Sequence, residues 1–224
     1  MTDSTETDPS LVAELLAAGR ALVAAGLSPG SSGNLSVRTA SGLLMTGTGT
    51  ELGALTADDL AVLDADGGQL SGRRPSKEVS LHLAMYARDA ACRAVVHVHS
   101  PSVVALSCLA PWSAESAVPP LTPYALMRVG QAPLLDFVAP GDPAMGDLVR
   151  DCPHPFRAAL LAHHGSVVGG PDLASAVDAA VELEEACRIA LLTQGLDRRL
   201  IPHEQVVAIT GRSGTPWTGA APAA

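Results

Sequence analysis

The run Ala94-Val95-Val96-His97-Val98-His99 limits the fold more than any other stretch. It is short, β-branched and apolar, so it reads as a strand. On a strand, side chains two apart share a face, which puts His97 and His99 side by side with Cβ atoms about 7 Å apart. Each imidazole interrupts an otherwise hydrophobic element, and burying it without a partner costs free energy. The chain must therefore pack polar or metal partners against that face.

The flanking sequence supplies a mixed set of elements. Apolar residues at Leu11, Leu15, Leu16, Leu22 and Val23 follow a helical spacing from Pro9 to Gly26, with Ser10 near the start. Asn34 to Arg38 and the run after Leu43 read as a hairpin between two Gly/Ser loops. Residues 56–64 read as a turn and a strand, and Asp66-Gly67-Gly68 closes a second hairpin. Ser76 is expected to cap a helix over Lys77–Arg88, with Val79, Leu83 and Tyr86 on its apolar side. Pro101 opens a helix to about Leu109, and a proline-rich passage through Tyr124 is expected to be irregular. A strand is expected over Pro133–Val138 and a short helix in GDPAMGDLVR. Two strands broken at His164-Gly165, a long helix over Leu173–Gln194 and a last element from Ile201 complete the chain. Helix and strand alternate without a βαβ repeat, which predicts an α/β fold whose mixed or largely antiparallel central sheet is covered by helices.

Composition narrows the function. At 224 residues with 47% hydrophobic and 17% charged, the chain is globular and of single-domain size. Six aromatics and a net charge of −9 offer little base stacking and repel phosphate backbones, so no nucleic-acid partner is expected. Cys92, Cys108, Cys152 and Cys187 are scattered with no C-x-x-C pair, as for reduced thiols in a cytoplasm. No apolar run approaches the roughly 18 residues of a membrane span, and the acidic N-terminus differs from a signal peptide.

The candidate chemistry centres on the histidines. His163-His164-Gly165 ends another apolar strand; its two imidazoles point to opposite faces, so one of them can join His97 and His99. Three imidazoles with an open position are the pattern of a catalytic zinc site. Glu78, just upstream, can either ligate such a metal or act as a base. His82, one helical turn further on, suits a supporting role, while His154 and His203 read as surface residues. The loops Gly30–Asn34 and Thr46–Gly49, with Ser76 and Lys77, offer N–H groups and hydroxyls suited to an anion, or are ordinary turns. Tyr124 is a proton donor or a packed loop anchor.

The ordered series Gly33-Asn34-Leu35-Ser36-Val37-Arg38, Met45-Thr46-Gly47-Thr48-Gly49, Pro75-Ser76-Lys77-Glu78, His97-Val98-His99 and His163-His164-Gly165 resembles the class II aldolase/adducin family, over residues 10 to 210. The resemblance implies a three-layer α/β/α fold with a central, mainly antiparallel sheet, and a homotetramer with active sites between subunits. One domain is expected over 10–210, with 1–9 and 211–224 as flexible tails. By this likeness His97, His99 and His164 hold zinc or another divalent metal, and Glu78 is the acid/base residue and a further metal ligand. Ser31, Asn34, Thr48, Gly49 and Ser76 match a substrate-phosphate site, and Tyr124 matches a proton donor to the neighbouring subunit's site. Lys77 stands where the fuculose-phosphate aldolase pattern has a second serine, and adds a positive charge. An intact ligand set argues against a noncatalytic, adducin-like role. The strings RRPSKEVSLHLAMY and VPPLTPYALMRVG are similar to the branch that decarboxylates 3-oxo-tetronate 4-phosphate to dihydroxyacetone phosphate and CO2, with sugar-phosphate aldolase activity as the alternative. Asp136-Phe137-Val138 departs from that branch's more tyrosine-rich segment.

Overall fold

The computed structural model describes residues 8–219. Eight strands form one sheet in the order β4-β3-β2-β1-β5-β8-β7-β6. They are β1 (Asn34–Arg38), β2 (Leu43–Thr46), β3 (Leu60–Leu63), β4 (Gln69–Gly72), β5 (Ala94–Val98), β6 (Leu134–Leu135), β7 (Ala158–Leu161) and β8 (Gly165–Gly170). Every neighbouring pair is antiparallel except β6 with β7. The helices are α1 (Pro9–Ala24), α2 (Val79–Arg88), α3 (Pro101–Ser107), α4 (Pro123–Arg128), α5 (Ala144–Asp151), α6 (Leu173–Leu192) and α7 (His203–Ser213).

Alternation along the strands builds two cores. Leu35, Val37, Val96, Val98, Leu160 and Val168 point to one face, where they pack with α1, α3 and α6. Met45, Val95, Leu161 and Val167 point to the other, against α2 and α5. The three layers and the mainly antiparallel sheet are those the family resemblance implies. On the α2 face the apolar pattern is interrupted at Asn34 and Ser36 of β1 and at His97 of β5, all at most 4% exposed. These polar positions lie on two adjacent strands, and Asn34 is the direct partner of His97 in the β1–β5 register.

Several local expectations change. Ser76 does not cap α2: the helix begins at Val79 with Glu78 in the N-cap position, and the Ser76 Oγ accepts from the Glu78 N–H at 3.3 Å. The buried face of α2 is Leu81, His82, Ala84, Met85 and Tyr86, with Val79 and Leu83 at its margin. Tyr124 lies in the first turn of α4 and not in an irregular loop, because Pro123 suits N1 and the Thr122 hydroxyl accepts from the Ala125 N–H. The strand expected over Pro133–Val138 shrinks to two residues at the sheet edge. The domain also runs past 210. Thr215 donates to the Leu126 carbonyl at 2.6 Å, Thr218 bonds to Gln131, and Trp217 lies beside Trp112. At the other end Pro9 begins α1, with Asp8 and not Ser10 as its cap. Residues 1–7 and 220–224 of the expected tails lie outside the described residues.

Candidate metal and catalytic centre

Three stretches of chain deliver one cluster. β5 and the residue after it supply His97 and His99, the β7–β8 turn supplies His164, and the residue before α2 supplies Glu78. Tight backbone contacts make this possible. A Cβ on Gly165 would lie 2.4 Å from the Val98 carbonyl oxygen, so only glycine lets the β8 end close on β5 at the histidines. His163 takes a left-handed φ of 59° in the same turn and is exposed, which leaves His164 as the one turned inward.

The ligand atoms of Glu78, His97, His99 and His164 all lie within 4.8 Å of one another. Glu78 Oε2 is 3.2 Å from His97 Nε2, and Oε1 is 3.4 Å from His164 Nε2. The Nε2 atoms of His97 and His99 are 2.9 Å apart. His97 Nδ1 faces the Ser166 carbonyl oxygen at 2.8 Å. A carbonyl only accepts, so the proton of neutral His97 sits on Nδ1 and its Nε2 lone pair points into the cluster. Both ring nitrogens of His164 are buried without a hydrogen-bond partner. Lone pairs, a carboxylate and an unpartnered imidazole facing one another repel unless a cation lies among them, so this donor set fits a divalent metal.

Electrostatics agree. Burial works against the ionised form of Glu78, but its interactions with His97, the Asn34 amide and His164 outweigh it and hold the carboxyl well below its usual range. Burial, reinforced by the neighbouring histidines, lowers His99 and His164 to about 4 each, so both are neutral ligands at pH 7. His82 is lowered to about 3, chiefly by complete burial.

The expected anion loops meet only in part. An isolated bridge between Gly47 and Pro75 sets the Thr48-Gly49 turn beside Ser76 and Lys77. Gly49 has a φ of +72° and Lys77 is exposed. Ser31 is exposed on the loop before β1. Asn34 is not open to an anion in this geometry: its Nδ2 donates to Glu78 Oε2 at 2.7 Å and its Oδ1 is 2.6 Å from His82 Nε2. Tyr124 is 63% exposed on α4, which packs on α6 and α7 and not at the cluster of its own chain. Ser36 and Tyr86, which join this polar interior, were not singled out from sequence; the signal available was polar residues on alternate β1 positions opposite Glu78, His82 and Tyr86, spaced four apart on α2.

Fold and centre define a three-layer α/β/α protein with a carboxylate and three imidazoles gathered at the sheet. The family model described as the class II aldolase and adducin N-terminal domain matches residues 13–191. The chain belongs to the class II aldolase and adducin family. It is 40% identical over 195 residues to the 3-oxo-tetronate 4-phosphate decarboxylase of Haemophilus influenzae, a match covering 87% of this chain and 93% of the relative. The L-fuculose phosphate aldolase of the same organism is 30% identical, covering 85% of this chain and 87% of its own. The crystal structure of YgbL from Escherichia coli superposes with a TM-score of 0.85 at 36% identity, covering 90% of this chain and 98% of that one. Among the described residues no helix is long and apolar enough to cross a membrane.

Proposed function

We propose that the protein is a metal-dependent carbon–carbon lyase that converts 3-oxo-tetronate 4-phosphate to dihydroxyacetone phosphate and CO2. The observation that carries the reading is the convergence of Glu78 with His97, His99 and His164 inside 4.8 Å; the similarity to the Haemophilus decarboxylase supports the substrate. His97, His99 and His164 hold the metal, with Glu78 as a further ligand when no substrate is bound, and zinc suits three neutral imidazoles with an open position. When bound, the metal supplies Lewis-acid stabilisation of the charge that develops on the substrate's carbonyl oxygen.

In the substrate the carboxylate C1 is β to the C3 ketone. The C1–C2 bond breaks, its electron pair passes to C2 and the C3 oxygen, and CO2 leaves. The resulting enediolate takes a proton at C2, drawn from water and relayed by Glu78 or given by Tyr124, to give dihydroxyacetone phosphate. Breaking the bond needs no base, so the work of Glu78 falls at the protonation step. Thr48, Gly49, Ser76 and Lys77 form the phosphate side of the site, with Ser31 nearby. Asn34 holds Glu78, and its contact with phosphate would need that bond to open. Tyr124, remote from its own chain's cluster, serves a neighbouring protomer in a homotetramer. The four free cysteines fit a cytoplasmic enzyme.

Aldol cleavage of a sugar phosphate is the second reading, favoured by the likeness to L-fuculose phosphate aldolase. It uses the same enediolate but needs a base to start condensation. Incubating zinc-loaded protein with 3-oxo-tetronate 4-phosphate and, separately, L-fuculose 1-phosphate distinguishes the two. Equal CO2 and dihydroxyacetone phosphate from the oxo-acid, abolished by a chelator, is the expected result. Dihydroxyacetone phosphate from the sugar phosphate alone, without CO2, moves the protein to the aldolase branch. Loss of all metal-dependent turnover in both arms contradicts both readings.

A further inference from the structure

Behind Glu78 a chain of buried hydrogen bonds runs 2.7 Å from Asn34 Nδ2 to Glu78 Oε2, 2.6 Å between Asn34 Oδ1 and His82 Nε2, 2.7 Å between His82 Nδ1 and Ser36 Oγ, and 2.7 Å between Ser36 Oγ and the Tyr86 hydroxyl. Asn34, Ser36, His82 and Tyr86 are 4%, 0%, 0% and 3% exposed. Its direction is fixed from one end. An ionised carboxylate only accepts, so the Asn34 amide turns its NH2 to Glu78 and its oxygen to His82. That oxygen also only accepts, so His82 carries its proton on Nε2. Neutral His82 then has its lone pair on Nδ1, which takes the Ser36 hydroxyl proton. The Ser36 oxygen is left to accept from Tyr86. Four donors in series thus point toward one carboxylate oxygen. The spacing that builds it is simple: Glu78, His82 and Tyr86 lie one turn apart on α2, facing alternate residues of β1.

We propose that His82, backed by Ser36 and Tyr86, is a positioning residue for Glu78. By fixing the Asn34 amide it pins Oε2 and leaves Oε1, 3.4 Å from His164 Nε2, as the oxygen that faces the reaction. The inference rests on the reading of Glu78 as the proton-transferring group. It gives the Nε2–H tautomer of His82 a function, where a core histidine satisfied for stability alone would need only partners of any orientation. Full burial keeps the ring neutral, in agreement with its lowered pKa.

One arm of the test needs no turnover. In 15N-histidine-labelled protein, His82 is expected to show one protonated and one bare ring nitrogen, with the proton on Nε2; a proton on Nδ1 overturns the chain's direction. In the kinetic arm, His82→Leu is expected to lower kcat by about 10- to 100-fold, the usual cost of removing a partner behind a metal or catalytic ligand, while KM moves less than about threefold. His82→Gln, whose amide can still donate to Asn34, is expected to recover most of kcat. Combining His82→Leu with Asn34→Ala is expected to cost no more than the worse single change, because both act through one contact. Multiplying losses, or equal losses in the Leu and Gln variants, overturn the proposal. If His82→Leu does not fold, the Gln variant and the tautomer decide. If the wild-type protein turns over neither substrate, the reaction reading has failed and the tautomer alone judges His82.

Discussion

Glu78 carries two demands that pull apart. It stays ionised while buried beside the histidines, and in the proposed reaction it also exchanges a proton with the substrate carbon. Its contacts with His97, His164 and the Asn34 amide meet the first demand. Glu78→Gln keeps the size and removes the proton exchange. Because C1–C2 cleavage needs no base, single-turnover CO2 release is expected to persist in that variant. Formation of dihydroxyacetone phosphate is expected to slow by about 10²- to 10⁴-fold. Complete loss of CO2 release contradicts this division of labour. The histidines also set a pH dependence. His99 and His164 fall to about 4 and His82 to about 3 in the folded protein, against about 6.5 unfolded. Between those values the unfolded chain binds more protons, so stability is full above about 6.5 and is lost as pH falls toward 4 and then 3. Urea midpoints of metal-stripped protein are expected to drop over that window, and less steeply in His82→Gln; a flat profile contradicts the buried, neutral state of these rings.

At the level of elements, the anchoring of β5 decides where His99 points. The Glu184 carboxylate on α6 accepts from the Ser102 N–H at 2.9 and 3.1 Å and from the Val103 N–H at 3.0 Å. It thus caps the start of α3 two residues after the metal strand ends. Glu184→Ala is expected to cost about 1–2 kcal/mol. In a chain of this size that lowers Tm by about 2–8 °C, measured by calorimetry; no change removes the cap from the account. Elements such as this one were legible only in part. The His-Val-His strand, the hairpins, α1, α5 and α6 announce themselves by period and turn chemistry. The start of α2 did not, because Ser76 looks like a cap in sequence while the loop pairing of Gly47 with Pro75 holds it outside the helix. β6 kept two residues because it is the edge strand, with β7 as its one partner. Asn34 looked like an anion ligand until the packing of β1 on α2 showed both ends of its amide engaged. Such engagement depends on contacts 44 and 48 residues away in sequence, which local patterns do not carry.

At the scale of the whole molecule, one residue of the proposed site is left apart from the cluster. Tyr124 is exposed on α4, which packs on α6 and α7, and is not among the residues gathered at the cluster; Met127 on the same helix is also exposed. In the proposed homotetramer this face meets a neighbour, and each site draws on two chains. Mixing Tyr124→Phe with Glu78→Gln protein and allowing subunits to exchange is expected to restore activity above either variant alone, since some sites then hold both native residues. A mixture no better than its parts contradicts a shared site. The docked segment Thr215–Thr218, packed on Leu126 and Gln131, braces α4 and makes that face part of the folded domain.

The central claim is that the three histidines and Glu78 form a metal centre that drives the chemistry. It is tested most directly by stripping the protein with a chelator and titrating zinc back while measuring CO2 release from 3-oxo-tetronate 4-phosphate. Activity is expected to be absent at the start, to rise in proportion to added metal and to saturate at about one ion per chain, with His97→Ala neither binding the ion nor turning over. Full CO2 release by the stripped protein, or stoichiometric metal in the His97→Ala variant, would contradict it.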